Sequence, residues 1–146
     1  MIPKGYYAIL YKLSDEEIGV RFPEHPNVNT YGFGWEHAEE MACEALSLAL
    51  EEDYKLDYKP VAAKKPKAKR GERVIFVPID IGVRVAYMLR ELRKSSGFTQ
   101  KQVAERMGVK YQTYQRMERP GRSNLSLSTL SRVAQALNKE VVVEMQ

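Results

Sequence analysis

The stretch QKQVAERMGVKYQTYQRMER, residues 100–119, spaces its apolar and small side chains as two short helices meeting at a tight turn. Val103, Ala104 and Met107 share one face of a first helix, Gly108 supplies the turn, and Val109, Tyr114 and Met117 return as the buried side of a second. Two helices crossing near a right angle require this spacing. The small Ala104 lets the backbones approach, and Gly108 reaches the positive φ of a three-residue turn without steric cost. Just upstream, Thr99 and Gln102 predict a capping box, in which each side chain bonds the other residue's backbone amide and so opens the first helix.

With Tyr114 and Met117 turned inward, the second helix offers Lys110, Tyr111, Gln112, Thr113, Gln115 and Arg116 on its free face. A Gln amide bonds the edge of adenine in two places and an Arg guanidinium does the same to guanine, whereas Lys110 and Arg119 are placed to neutralise phosphate. A merely solvated face needs charge but no such choice of donors. Residue type and register together point to the major groove of DNA.

Flanking helices follow the same logic. Asp80 is a plausible N-cap for a helix with Val85, Met88, Leu89 and Leu92 at i, i+3, i+4 and i+7, which residues 95–97 end. Ser126 caps another, in which Leu127, Leu130, Ala134 and Leu137 repeat at helical spacing as far as Asn138. The run VVVEM, residues 141–145, predicts a closing β-strand. Its apolar side chains suggest pairing across a two-fold axis, so that a symmetric dimer reads the two halves of a palindromic site.

The front of the chain reads differently. Residues 6–13 and 18–22 are rich in aromatic and branched residues around the polar break at 14–17, which predicts a β-hairpin. After Pro23, Pro26 and Asn27, residues 28–33 form a third short strand, and Gly32 and Gly34 mark a turn into a helix over 35–53. There Ala38, Met41, Ala42, Ala45, Leu46 and Ala49 make one apolar stripe, with Glu39, Glu40, Glu44 and Glu51 elsewhere. The segment AAKKPKAKRGER, residues 62–73, has too little apolar content to fold alone. Residues 74–77 are a further strand, and the sequence leaves two partners open for it, the hairpin in front or the tail behind.

The organisation is therefore α+β. A β-meander with a helix occupies residues 1–56, with strand 74–79 a candidate to complete its sheet. A basic flexible linker spans 57–73, and a helical region with a closing strand spans 80–146. Charge divides along the same lines. Residues 1–54 hold 3 basic and 11 acidic side chains, a balance of −8, whereas 55–73 and 74–146 each come to +6, giving the overall +4. Halves so different suit different partners. Cys43 is the single cysteine, so no internal disulfide forms and a reducing cytoplasm fits. No apolar run approaches the roughly 18 residues of a membrane span, and the N-terminus lacks a signal-peptide pattern.

Residues 89–137 resemble the helix-turn-helix domain of phage-repressor-type regulators, the Xre or Cro/CI family. The resemblance makes Gln100 a contact to the DNA backbone and gives Tyr111, Gln112 and Arg116 the base-reading positions. It also aligns Arg93 and Glu118 with a structural ion pair between the first and recognition helices. Two positions depart from that pattern: Tyr114 stands where Ile or Val is usual, and Lys110 where a capping Ser or Thr is common.

The whole chain is also similar, in order of segments, to HicB antitoxins. The hairpin YYAILYKLSDEEIGVRFPEHPNV, the helix HAEEMACEALSLALEE, the strand VIFVPID, the helix-turn-helix and the closing LNKEVVV follow one another as in one HicB subfamily. What this resemblance implies is a front domain with a degenerate ribonuclease H-like fold. That domain covers a basic, mRNA-cleaving HicA-like toxin, and the rear domain represses the shared operon by binding its double-stranded operator as a dimer or dimer of dimers. An acidic front suits a cationic partner independently of the resemblance. No catalytic residue, metal ligand or cofactor is expected. The strands bring almost no carboxylates to hold magnesium, and His25 and His37 lack metal-ligand spacing, reading as ordinary loop and helix-start residues. The alternative is a repressor whose front domain senses a ligand or another protein.

Overall fold

A computed structural model describes residues 1–121 and 125–146. The element order is β1 (Gly5–Lys12), β2 (Glu17–Phe22), β3 (His25–Phe33), α1 (Trp35–Lys55), β4 (Arg73–Pro78), α2 (Ile81–Ser95), α3 (Gln100–Met107), α4 (Tyr111–Met117) and α5 (Leu127–Ala136). The chain divides into two compact units, residues 1–84 and 85–146, so the boundary lies within α2 rather than in the basic segment 57–73.

In the first unit the strands form one antiparallel sheet in the order β3-β2-β1-β4. The open pairing of residues 74–77 is thereby answered: β4 lies against β1, with Tyr6 opposite Val77 and Leu10 opposite Arg73. Alternation sends Tyr6, Ala8, Leu10, Val20, Phe22 and Val77 to one face, all nearly fully buried. There they meet Ala38, Ala42, Leu46 and Leu50, which recur every four residues along α1. Close approach of helix to sheet depends on Gly32, where a Cβ would lie 2.4 Å from the backbone nitrogen of Ala38. β3 begins earlier than expected and runs through Pro26, which an edge strand tolerates because its outward side needs no ladder donor.

Two expectations are corrected. The closing strand over 141–145 is absent from the chain, whose tail carries no regular structure and exposes Val142, Val143 and Met145. A strand requires a neighbour to satisfy its backbone, and the tail has none within the chain: β4, an edge strand, pairs with β1 alone. The segment 57–73 likewise differs from a free tether. It forms no helix or strand before β4, yet side chains of the first unit hold it at three points. The Tyr6 hydroxyl donates to the Val61 carbonyl at 2.7 Å, the Lys64 amide donates to Glu24 at 2.9 Å, and Arg21 pairs with Glu72 at 2.7 Å. Low apolar content was a poor guide because polar contacts hold this strap.

The strap closes over a histidine that the sequence offered as a loop residue. His25 opens β3 with its ring edge-on to Tyr6, centroids 4.6 Å apart, and Nδ1 3.9 Å from Asp53. Burial lowers its pKa below the ordinary 6.5, against the pull of Asp53 and Glu24. Burial also pushes the Tyr6 hydroxyl up to about 12, with Glu24 and Asp53 adding to the effect. His37, by contrast, sits at the start of α1 and accepts the Phe33 amide through Nδ1 at 2.9 Å.

Because the folded protein holds His25 neutral more strongly than the unfolded chain does, its contribution is full above pH 6.5 and is lost as the pH falls below that value. The single tryptophan, Trp35, stacked 3.8 Å beneath the Arg73 guanidinium, reports on this unit. Thermal melts followed by its fluorescence are expected to shift down on acidification from pH 7 to 5.5. His25→Gln should flatten that slope, and an unchanged slope would mean that other groups cause it.

Candidate nucleic-acid interface

The second unit is built around Leu89, Val103, Ala104, Tyr114, Val133, Ala136 and Leu137, drawn from α2, α3, α4 and α5 and its C-terminal end. α3 opens as its sequence predicts. The Thr99 hydroxyl accepts the Gln102 amide at 3.1 Å, while the Gln102 side chain accepts the Thr99 amide at 2.9 Å. Gly108 ends the helix in the left-handed region at φ 69°, and the Val109 amide donates to the Ala104 carbonyl at 3.0 Å. This fixed turn launches α4. Tyr114 is fully buried, so the residue that departs from the usual Ile or Val serves the same interior position with a larger ring.

Burying Tyr114 determines what α4 presents. Lys110, Tyr111, Gln112, Thr113, Gln115, Arg116 and Arg119 are all exposed, and Gln100 at the start of α3 is half-buried. Lys110 occupies the N-cap with extended backbone and makes no side-chain cap bond. The first amides of α4 thus keep no side-chain acceptor from that residue, and a DNA phosphate is a suitable one. Tyr111 reaches back to Gln100, hydroxyl to amide oxygen 3.4 Å, which ties the openings of the two helices together. The face combines bidentate donors with cations and carries no acidic side chain between 110 and 117.

Arg93 and Glu118 hold the helices in this arrangement. Arg93 Nε lies 3.0 and 2.8 Å from the two carboxylate oxygens, Nη2 lies 2.8 Å from Oε1, and Nη1 donates to the Phe98 carbonyl at 3.0 Å. Glu118 is 1% exposed and Arg93 8%. Both charges are withdrawn from water, so their stability depends on each other. Two further arginines brace the unit: Arg106 donates to the Ala136 carbonyl and the Asn138 side chain, and Arg132 to the Met107 carbonyl. The sequence reading missed both, since an exposed-looking arginine on a helix gives no sign of which distant carbonyl it reaches.

The family comparison agrees with this geometry. Residues 89–143 match the helix-turn-helix family model, which begins in α2 and ends in the tail. Over 53 residues the chain is 45% identical to an uncharacterized HTH-type transcriptional regulator of Methanothermobacter thermautotrophicus, an alignment covering 36% of this chain and 75% of that protein. The chain belongs to the helix-turn-helix family, and its second unit is a DNA-binding domain of that type.

Removing Arg93 strands a buried carboxylate. Arg93→Ala is expected to cost about 3–5 kcal/mol of stability, the usual penalty for breaking a buried pair by deleting one partner. Urea denaturation followed by far-UV circular dichroism measures it. A loss below about 1 kcal/mol would show that the pair is not needed to hold α4.

Proposed function

We propose that this protein is a transcriptional repressor and antitoxin. α4 reads an operator, and the first unit binds and silences a small, basic, HicA-like mRNA-cleaving toxin encoded beside it. The observation that carries the DNA half is the exposed set Gln112, Gln115 and Arg116 on a helix whose opposite side is locked by Tyr114 and Glu118. The toxin half rests on the end-to-end order of segments shared with HicB antitoxins and on α1, which carries 7 acidic side chains and 1 basic one. Such a helix complements a cationic enzyme and repels nucleic acid from the same surface. In this reading the first unit is a degenerate ribonuclease H-like fold without activity of its own, and the protein works in the cytoplasm beside its operon.

The tail supplies the dimer contact. Val142 and Val143 are exposed, and the apolar run from Val141 to Val143 suits pairing with the same segment of a second copy. Two α4 helices on one two-fold axis then match the half-sites of a palindrome. Truncation after Asn138 is expected to yield a monomer by light scattering and to weaken operator binding at least tenfold. A truncated protein that stays dimeric would place the interface elsewhere.

A second reading has its own observation. Glu24, His25, Val28, Asp53, Tyr58 and Val61 line a cleft of about 580 Å³ in the first unit. Glu24 Oε2 and His25 Nε2 are buried there without a hydrogen-bond partner among the described residues. Polar atoms so placed suit a small ligand, and a repressor that senses one would use this cleft.

Operator fragments selected from a random duplex library test the DNA half. Gln112→Ala and Arg116→Ala should each cost about 1–3 kcal/mol on the selected sequence and little on random duplex, whereas Lys110→Ala should lower the salt slope by about 1. Equal losses on every sequence would remove these residues as readers. Co-expression of the tagged full chain with the neighbouring reading frame tests the toxin half. A stable complex and rescued growth are expected, and neither appearing would favour the ligand-sensing alternative.

A further inference from the structure

Only one face of the sheet is covered by α1. Strand register places Tyr7, Tyr11, Tyr31, Phe33 and Phe76 on the other, since Tyr7 pairs with Phe76, Tyr11 with Gly19, Gly19 with Tyr31 and Glu17 with Phe33. Two of these rings, Tyr11 and Phe76, lie across the sheet rather than standing from it. A Cβ at Gly19 would fall 2.6 Å from the Tyr11 ring, and one at Gly5 would fall 2.6 Å from that of Phe76. Glycines there clear the space that lets the rings lie down. Here Tyr31, Phe33 and Phe76 remain 48%, 60% and 48% exposed.

Charge divides unevenly between α1 and the rest of the first unit. α1, packed on the far side, holds 7 acidic residues and 1 basic, whereas the rest of the first unit holds 11 basic and 7 acidic. Five of those cations, Lys64, Lys65, Lys67, Lys69 and Arg70, fall within seven residues of the strap. The strap is anchored at Glu24 in the β2–β3 turn and again at Arg21 through Glu72. Arg21 itself lies on the open face, its guanidinium 5.2 Å from the Tyr11 ring centroid. The aromatic floor is thus bordered by Arg21 and by the end of the strap that Glu72 fastens to it through Arg21 and the Lys69 amide.

We infer that this face is a platform for single-stranded nucleic acid. Unpaired bases stack on exposed rings with little regard to sequence, and a lysine-rich border follows the phosphates. A duplex hides the faces of its bases and cannot use such a floor. The five cations clustered in the strap favour a polyanion as the occupant. The inference is independent of the toxin-binding reading. It adds a second nucleic-acid surface in the first unit, distinct in chemistry from α4.

Fluorescence anisotropy of the full-length chain with labelled 12-mers of uridine RNA and thymidine DNA tests it. At low salt the chain should bind with micromolar affinity. Tyr31→Ala and Phe33→Ala should each weaken binding roughly 5- to 100-fold. Circular dichroism melts confirm that these exposed substitutions leave the fold intact. Tighter binding of the RNA supports contacts to the 2′-hydroxyl, and equal binding supports stacking alone. No binding at about 100 µM would overturn the inference, as would equal affinity of both sheet variants and wild type. Loss of a protein complex in those variants with oligonucleotide binding intact would likewise overturn it and assign the face to protein.

Discussion

The Arg93–Glu118 pair is the interaction on which the reading surface depends. Glu118 caps the C-terminal end of α4, where a carboxylate opposes the helix dipole, and it is almost completely removed from water. Such a placement is tolerable only with a cation delivered in bidentate geometry. α2 provides it, and the same guanidinium also takes the Phe98 carbonyl beyond the end of that helix. One side chain therefore joins the end of α2, the lead into α3 and the end of α4. With Tyr114 filling the interior, α4 has one orientation available, and its polar residues all face outward. A seven-residue helix has too little cooperativity to hold itself in place.

The first unit solves a different problem. A four-stranded sheet with one helix buries one face only, and the chain distributes its charge accordingly. Acidic residues ride on α1, cations gather in the strap, and aromatic rings lie over the face that no helix covers. The sequence balance of −8 over residues 1–54 thus describes a helix more than a domain. Its neighbour in sequence, the basic strap, is bound to the same unit through Tyr6, Glu24 and Arg21. Opposite charges that look like separate consecutive segments along the chain belong to one unit.

Local rules made the second unit readable. The Thr99 capping box, the turn at Gly108 and the burial of Tyr114 each depend on residues a few positions apart, and all three are seen in the structure. Arg93 and Glu118 are 25 residues apart, and no spacing rule joins them; resemblance to repressor domains suggested the pair. In the first unit, helix α1 and the hairpin were legible from period and alternation. Burial of His25 was not, because it depends on Tyr6, Asp53 and a strap 36 or more residues downstream. The tail failed for the opposite reason. Its residues have strong strand preference, yet a strand exists only where an edge receives it, and within one chain none does.

The central claim is that α4 meets DNA through its exposed face while Tyr114 and Glu118 hold it from behind. Amide chemical-shift mapping of the labelled full-length chain on titration with an operator duplex measures this directly. The account predicts the largest shifts at Lys110, Gln112, Gln115, Arg116 and Arg119, with a smaller response at Gln100 and none along α1. Shifts concentrated in the first unit, with α4 unmoved, would contradict it.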